Sequence, residues 1–238
     1  MPRSDWWVNS SRIHLEAHVR RFAKATPPGM LVLDAGAGRA PYRRWFDHAR
    51  YETADIVQPK DAPRPLDYVC DLTAIPVEDG RFDRIVFNQV LEHVTDPRAV
   101  IRELHRVLKP GGLVLCSAPL FFEEHLKPYD YFRYTRYGLR LLFEEAGFRV
   151  VKLDWLEGYF GTVSYQFDEM VRYLPRTARS KGWRGLVVRA LVWTTRSYAR
   201  LARGAFARVD ARWVVTDTGH PKNYVVIGEK AGPSILTM

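Results

Sequence analysis

The stretch Leu31–Tyr42, LVLDAGAGRAPY, constrains the fold more than any other part of the chain. An apolar, β-branched and leucine-rich run bounded by glycine reads as a buried parallel strand. Asp34 then sits at the carboxyl end of that strand, where open α/β sheets gather their ligands. Gly36 and Gly38 permit a sharp turn and a close backbone approach to a ligand. Alone, such a segment is an ordinary strand-to-helix turn with a capping aspartate. The strand–turn–helix setting gives it weight.

Charge narrows the ligand. A dinucleotide turn usually needs a third glycine and a helix N-terminus open to pyrophosphate. Here the run continues Arg39-Ala40-Pro41, and Asp34 sets beside the turn a carboxylate that repels phosphate and attracts a cation. A nucleoside with a positively charged tail fits, and S-adenosylmethionine (SAM) is such a molecule.

The rest of the chain supplies the sheet that this strand needs. An amphipathic helix is expected over about 10–25, around Ile13–Phe22, preceded by Trp6 and Trp7, with Ser10 or Ser11 as N-cap. Pro27-Pro28-Gly29 ends it. Pro41–His48 is expected to form the first crossover helix. Strands are predicted at Tyr51–Asp55, Asp67–Cys70, Phe82–Phe87, Leu113–Ala118, Phe148–Leu153 and Tyr224–Gly228. Helices are predicted over Pro97–Leu108 and Thr135–Ala146, with Gly147 as C-cap of the second. Lys230–Met238 reads as a loose tail. Strands alternating with helices imply a mostly parallel sheet covered on both faces.

With 238 residues and an apolar fraction of 47%, one domain with an insertion is the expected organisation. Met1–Trp7 has no apolar signal-peptide region, and no run of about 18 uncharged apolar residues occurs. Cys70 and Cys116, the two cysteines, give neither a disulfide framework nor a zinc pattern. A reduced cytoplasmic setting without a bound metal is therefore expected. The net charge of +9 is concentrated: Arg172–Arg212 carries eleven Lys or Arg against Asp210 alone, +10, which leaves 9 − 10 = −1 for the other residues.

Three strand ends offer acids in order, Asp34, Asp55 and Asp71. An acid about 20 residues beyond a glycine turn is placed to hold a ribose diol, and Asp55 lies 17 residues after Gly38. Asp71 can accept from an adenine amino group while the Leu72 backbone N–H donates to the ring. Asn88, at the tip of the fourth strand, can reach the methionine part. The chain resembles the class I SAM-dependent methyltransferases, particularly those sharing the methyltransferase type 11 pattern. The resemblance rests on LVLDAGAGRAPY, DLTAIPVEDGRFDRIVFNQVLEHVTDP, RELHRVLKPGGLVLCSAP and RYTRYGLRLLFEEAGF, with YVVIGEK as last strand. It implies a Rossmann-like seven-stranded sheet, helices on both faces, with an antiparallel final strand. It also implies SAM contacts from Asp34, Gly36, Gly38, Asp55, Asp71, Leu72 and Asn88, to which Ile56, next to Asp55, is added. Ala40 departs from the family, where many relatives have glycine.

Direct in-line methyl transfer needs the acceptor held close and aligned, an effect worth ~7–11 kcal/mol, and a hydroxyl acceptor gains from a base. His125 is the first candidate for that base, with Tyr129 and Asp130 orienting the acceptor. The ordinary alternative for His125 is a loop-packing role. His93 is expected to pack or to act at one remove. The run His125–Thr135 resembles a subgroup associated with glycan or natural-product gene sets. O-methylation of a small-molecule, glycan or lipid-linked acceptor is the resulting expectation. An RNA methyltransferase, or a nonenzymatic SAM-binding or scaffold protein, is the alternative.

The basic segment, about 158–220, falls between the last two strands as a helical insertion. On a helical wheel Arg189, Arg196, Arg200 and Arg203 occupy a sector of about 60°, with Trp183, Val187, Leu191, Tyr198, Leu201 and Ala205 on a broad face away from it. Such a helix suits peripheral contact with an anionic membrane. The favoured alternative is a cap over the acceptor pocket, with arginines solvated outside and the apolar face packed inside. Nucleic acid ranks third, because aromatics are not interleaved as a stacking platform.

Overall fold

The computed structural model describes residues 10–175 and 182–232. Trp6, Trp7 and the end of the expected C-terminal tail lie outside the described residues. The chain divides into two compact units, one holding Leu15–Leu156 with Asn223–Met238 and the other Met1–His14 with Glu157–Lys222.

The larger unit is built on a seven-stranded sheet. Its strands are β1 Leu31–Ala35, β2 Arg50–Asp55, β3 Tyr68–Val69, β4 Phe82–Asn88, β5 Leu108–Pro119, β6 Phe148–Trp155 and β7 Asn223–Lys230. Their spatial order is β3-β2-β1-β4-β5-β7-β6. The pairs from β3 through β5 are parallel, and β7 lies antiparallel between β5 and β6. This is the Rossmann-like architecture expected, antiparallel final strand included.

The strands form because both of their faces are buried. Leu33, Ile85, Phe87, Val114, Cys116 and Val226 face one layer, which is filled from α2 (Pro97–Val107) and α3 (Arg136–Glu145). Their neighbours Val32, Val86, Leu115 and Val225 face the other, against Val19 and Phe22 of α1 (Ser10–Lys24). Alternate side chains thus serve opposite layers, as the strand pleat requires. Each fully buried Leu, Ile or Phe stabilises by roughly 1.5–3 kcal/mol.

Helix ends follow local chemistry. Asp96 caps α2 by accepting from the Ala99 N–H at 2.9 Å, with Pro97 at the first position, where no N–H is missed. Thr135 caps α3 through Gly138 N–H at 3.1 Å. Ser11 does not cap α1: it lies inside the helix, its buried hydroxyl without a hydrogen-bond partner.

One expected element is absent. Pro41–His48 is not a crossover helix but holds a single 3-10 turn, Arg43–Trp45. The segment is fastened by side chains instead: Phe46 is buried in the α1 layer, and the Arg43 guanidinium donates to the Tyr51 carbonyl at 3.0 Å. β5 also begins earlier than expected, because Leu108 already pairs with Phe82 before a register break.

The smaller unit contains α4 (Tyr159–Tyr173) and α5 (Gly182–Arg212). Phe206 stacks on Phe160 and Phe167, each at 5.7 Å between centroids. The buried residues of α5 are small, Gly185, Ala199, Ala202 and Ala207, together with Asp210. Gly185, Ala199, Ala207 and Asp210 share the arginine side of the helix. Arg203 pairs with Asp168 of α4, and Arg196 donates to the Leu174 carbonyl at 2.6 Å. Trp183, Leu191, Tyr198 and Leu201 are instead 60–76% exposed. The helix therefore faces the opposite way from the expected cap arrangement: small residues and Phe206 meet α4, arginines reach carbonyls and a carboxylate across the seam, and Trp183, Leu191 and Leu201 point to solvent.

Candidate functional site

The carboxyl ends of β1, β2, β3 and β4 carry the residues singled out from the sequence, on four adjacent strands. After β1 the chain turns through Gly36 and Gly38, at φ +72° and +52°, a region that favours glycine. A Cβ on Gly36 would stand 2.3 Å from the Val90 side chain, whereas one on Gly38 would meet nothing within 4 Å. Gly36 is thus required by packing, while open space lies over Gly38 for a ligand. Ala40 closes the turn at φ +50°, where a glycine would sit without strain.

The four expected polar contacts differ in state. Asp55 is fixed by its backbone neighbours: one oxygen accepts from Gly38 N–H at 2.8 Å, the other from Ile56 N–H at 2.7 Å. A carboxylate held this way retains lone pairs for two hydroxyl donors. Asp34 is buried and accepts from the Tyr51 hydroxyl at 2.6 Å. Burial raises its pKa from 3.8 to about 7, opposed by that hydrogen bond. Asp71 is exposed and bends back to the Thr73 N–H and hydroxyl at 2.8 and 2.9 Å, and Leu72 beside it is buried. Asn88 is buried, and neither its amide nitrogen nor its amide oxygen has a partner. An orphaned buried amide normally costs about 1–3 kcal/mol, and a ligand's polar groups would offset that cost.

The expected catalytic loop lies after β5, beside the segment that follows β4. Tyr131 and Phe132 N–H groups donate to the Glu92 carbonyl, and the Tyr134 hydroxyl to the Leu91 carbonyl. His125 is partly exposed, its Nδ1 3.2 Å from the Glu123 carbonyl and 3.3 Å from Asp130. Asp130 also accepts from the His125 backbone N–H at 2.8 Å and from both terminal nitrogens of Arg133 at 2.7 and 2.8 Å. The Arg133 guanidinium holds its carboxyl well below the usual carboxylate range. Asp130 is therefore engaged in orienting His125. Tyr129 contributes its carbonyl, which accepts from His93 Nδ1 at 2.6 Å, while its side chain is exposed.

Two neighbours of this group were not among the catalytic candidates read from the sequence. The His93 and His125 rings meet edge to face at 4.6 Å, and burial lowers the His93 pKa, so its imidazole is neutral near pH 7. Glu92 is fully buried, and neither carboxylate oxygen has a hydrogen-bond partner. Desolvation raises its pKa to about 7, opposed by the Arg133 charge. The signal was the Leu91-Glu92-His93 run directly after a strand tip, where an acid and an imidazole stand at a sheet's ligand-binding end.

Comparison with known proteins bears on the family and the fold. The family described as "Methyltransferase domain" matches residues 12–153. The ubiquinone/menaquinone biosynthesis C-methyltransferase UbiE of Desulfotalea psychrophila is 33% identical over 141 residues, 52% of this chain and 56% of that protein. The chain thus spans about half the length of the curated relatives it matches. Among solved structures, a SAM dependent methyltransferase from Archaeoglobus fulgidus superposes with TM-score 0.56 at 17% identity, covering 91% of this chain and 93% of that one. The cyclase SpnF gives 0.57 at 17% identity, covering 92% and 82%. These last two likenesses show the fold. The matched region takes in the glycine turn, the acidic strand ends and the loop after β5, and through it the chain belongs to the class I SAM-dependent methyltransferases.

Proposed function

We propose that the chain transfers a methyl group from SAM to an oxygen of a small-molecule, glycan or lipid-linked acceptor. The observation that carries the donor half is the ordered series at adjacent strand ends: the open Gly38 turn, the backbone-fixed Asp55 and the orphaned Asn88 amide. In this reading Asp55 and Ile56 hold the ribose end, Asp71 and Leu72 the adenine, and Asn88 the amino-acid part. Asp34, Gly36 and Gly38 shape the turn beneath it. When bound, SAM supplies an electrophilic methyl on a sulfonium.

The acceptor half rests on the loop after β5. The acceptors near His125 Nδ1 are all oxygens, so the proton sits there and Nε2 keeps its lone pair. A hydroxyl brought to that nitrogen within about 2.6–3.2 Å could give up its proton as the methyl arrives. Asp130 orients the ring, and Tyr129 stands on the same loop. UbiE is named a C-methyltransferase, so the oxygen acceptor is the finer part of this reading. Cell extract incubated with enzyme and methyl-labelled SAM, followed by mass spectrometry, tests it directly. A labelled methyl ether or ester supports it. A labelled ring carbon moves the reading to C-methylation, and SAM binding without product across acceptor classes moves it to a SAM-binding protein.

The exposed apolar side of α5 favours a lipid-linked acceptor met at an anionic membrane surface. Trp183 and Trp193, each 70% exposed, and Leu201 at 76% stand on a helix that also carries exposed Arg189 and Arg200, the combination that seats a helix at the headgroup boundary. Among the described residues no helix is long and apolar enough to cross a membrane. Flotation with anionic vesicles decides this part: failure to float at low salt removes it.

A further inference from the structure

We infer that Glu92, His93 and His125 form a binding site for one divalent transition-metal ion of the zinc or manganese kind. One ligand atom from each lies within 4.8 Å of the other two. A tetrahedral ion with bonds of about 2.0–2.1 Å needs ligand atoms roughly 3.3 Å apart, so side-chain shifts of about an ångström complete the cradle. Two imidazoles and one carboxylate are a donor set that suits zinc, manganese or iron. The sequence, read for cysteine spacing, pointed to no metal.

Three features make this a prepared site and not a chance cluster. First, Glu92 is fully buried with both oxygens unpartnered. A buried carboxylate without hydrogen bonds is costly unless a cation or proton meets it, and His93 Nε2 stands 3.8 Å from one of its oxygens. Second, both histidines are set in the same tautomer. His93 Nδ1 donates to the Tyr129 carbonyl at 2.6 Å. His125 Nδ1 faces the Glu123 carbonyl at 3.2 Å and Asp130 at 3.3 Å. Each ring therefore offers Nε2, with its lone pair, to an ion. Third, the outer support is itself anchored: Asp130, behind His125, is clamped by Arg133 through two hydrogen bonds. A carboxylate behind a metal-bound imidazole fixes the ring and raises its basicity. Leu126 follows His125 at φ +50°, a strained conformation for a branched side chain that is common where a loop is held for function. Partial exposure of both imidazoles leaves a path for the ion.

An ion here would polarise an acceptor oxygen and take over the role assigned above to the His125 imidazole. That consequence rests on the methyl-transfer reading; the binding itself does not. The test uses the full chain, stripped with a chelator and titrated with Zn²⁺ by calorimetry and with Mn²⁺ by electron paramagnetic resonance. One ion per chain is expected. Glu92→Gln and His125→Ala should each weaken binding about a hundredfold, and Arg133→Gln, a positioning change, about tenfold. Glu92→Gln keeps the shape of a buried site and removes its charge, so circular dichroism and SAM affinity should stay as in the parent. No binding of either ion, or affinities in both ligand variants within about threefold of the parent, overturns the site. SAM titration of the same samples separates that outcome from failure of the methyl-transfer reading.

Discussion

Gly36 and Asp34 show how single positions in the first strand and its turn divide the work. At Gly36 the positive φ and the 2.3 Å approach of a Cβ to Val90 both oppose a side chain. Gly36→Ala should therefore destabilise by about 2–4 kcal/mol, read as a lower urea midpoint, whereas Gly38→Ala should cost less, since no atom stands in its way. Equal losses would remove the packing argument. Ala40→Gly runs the other way, relieving an alanine at φ +50° and stabilising by about 1 kcal/mol. Asp34 carries a pH dependence. Its folded pKa, about 7, lies above the ordinary 3.8, so between those values the native state keeps a proton that the unfolded chain has released. Native stability contributed by this group is full below pH 4 and declines as pH rises to 7. At about 1.4 kcal/mol per unit the ceiling is roughly 4 kcal/mol. Asp34→Asn still accepts from Tyr51 and should flatten part of that decline between pH 5 and 7 in urea unfolding, Glu92 supplying the rest. An unchanged slope would place Asp34 in a more polar setting.

The elements differ in how plainly the sequence announced them. Strands were legible because glycine, proline and acids punctuate short apolar runs, and α2 and α3 because a periodic apolar face stops at Pro110-Gly111 in one and at Gly147 in the other. Pro41–His48 was not, because its stability comes from Phe46 and Arg43 reaching distant partners, which no local pattern records. The orientation of α5 was misread for a related reason: Trp and Leu are assumed to pack, yet here alanine, glycine and Phe206 meet α4 while Trp183 and Leu201 stay exposed. Glu92 was missed because burial without a partner is a property of assembled elements. Within the loop after β5, the Asp130–Arg133 clamp supports His125 through the loop's backbone as well as its ring. His125→Ala should thus cut turnover far more than SAM affinity, and Arg133→Gln should cut turnover less, through misplacement of the ring. Unchanged turnover in His125→Ala takes His125 out of the mechanism.

At the scale of the molecule, the segment Glu157–Lys222 is flanked by one pair of neighbouring positions in the sheet. Trp155 of β6 pairs with Tyr224 of β7, and the Leu156 N–H donates to the Asn223 carbonyl at 2.9 Å. The 66 residues Glu157–Lys222 leave and re-enter the sheet there. Two antiparallel strands with ends so close can be joined by a two-residue Asn-Gly turn, whose backbone twist matches theirs. Replacing Glu157–Lys222 by Asn-Gly should therefore leave a sheet unit that unfolds cooperatively and binds SAM within about tenfold of the full chain, because every residue proposed to hold SAM lies between Asp34 and Asn88. The same variant should lose flotation with anionic vesicles, since α5 is gone. Calorimetric unfolding, SAM titration and flotation on one sample read all three. If the shortened chain unfolds without a cooperative transition, the basic segment is part of the folding unit and not an insertion. If it folds and still floats, the membrane contact belongs to the sheet unit, and the exposed tryptophans of α5 need another partner.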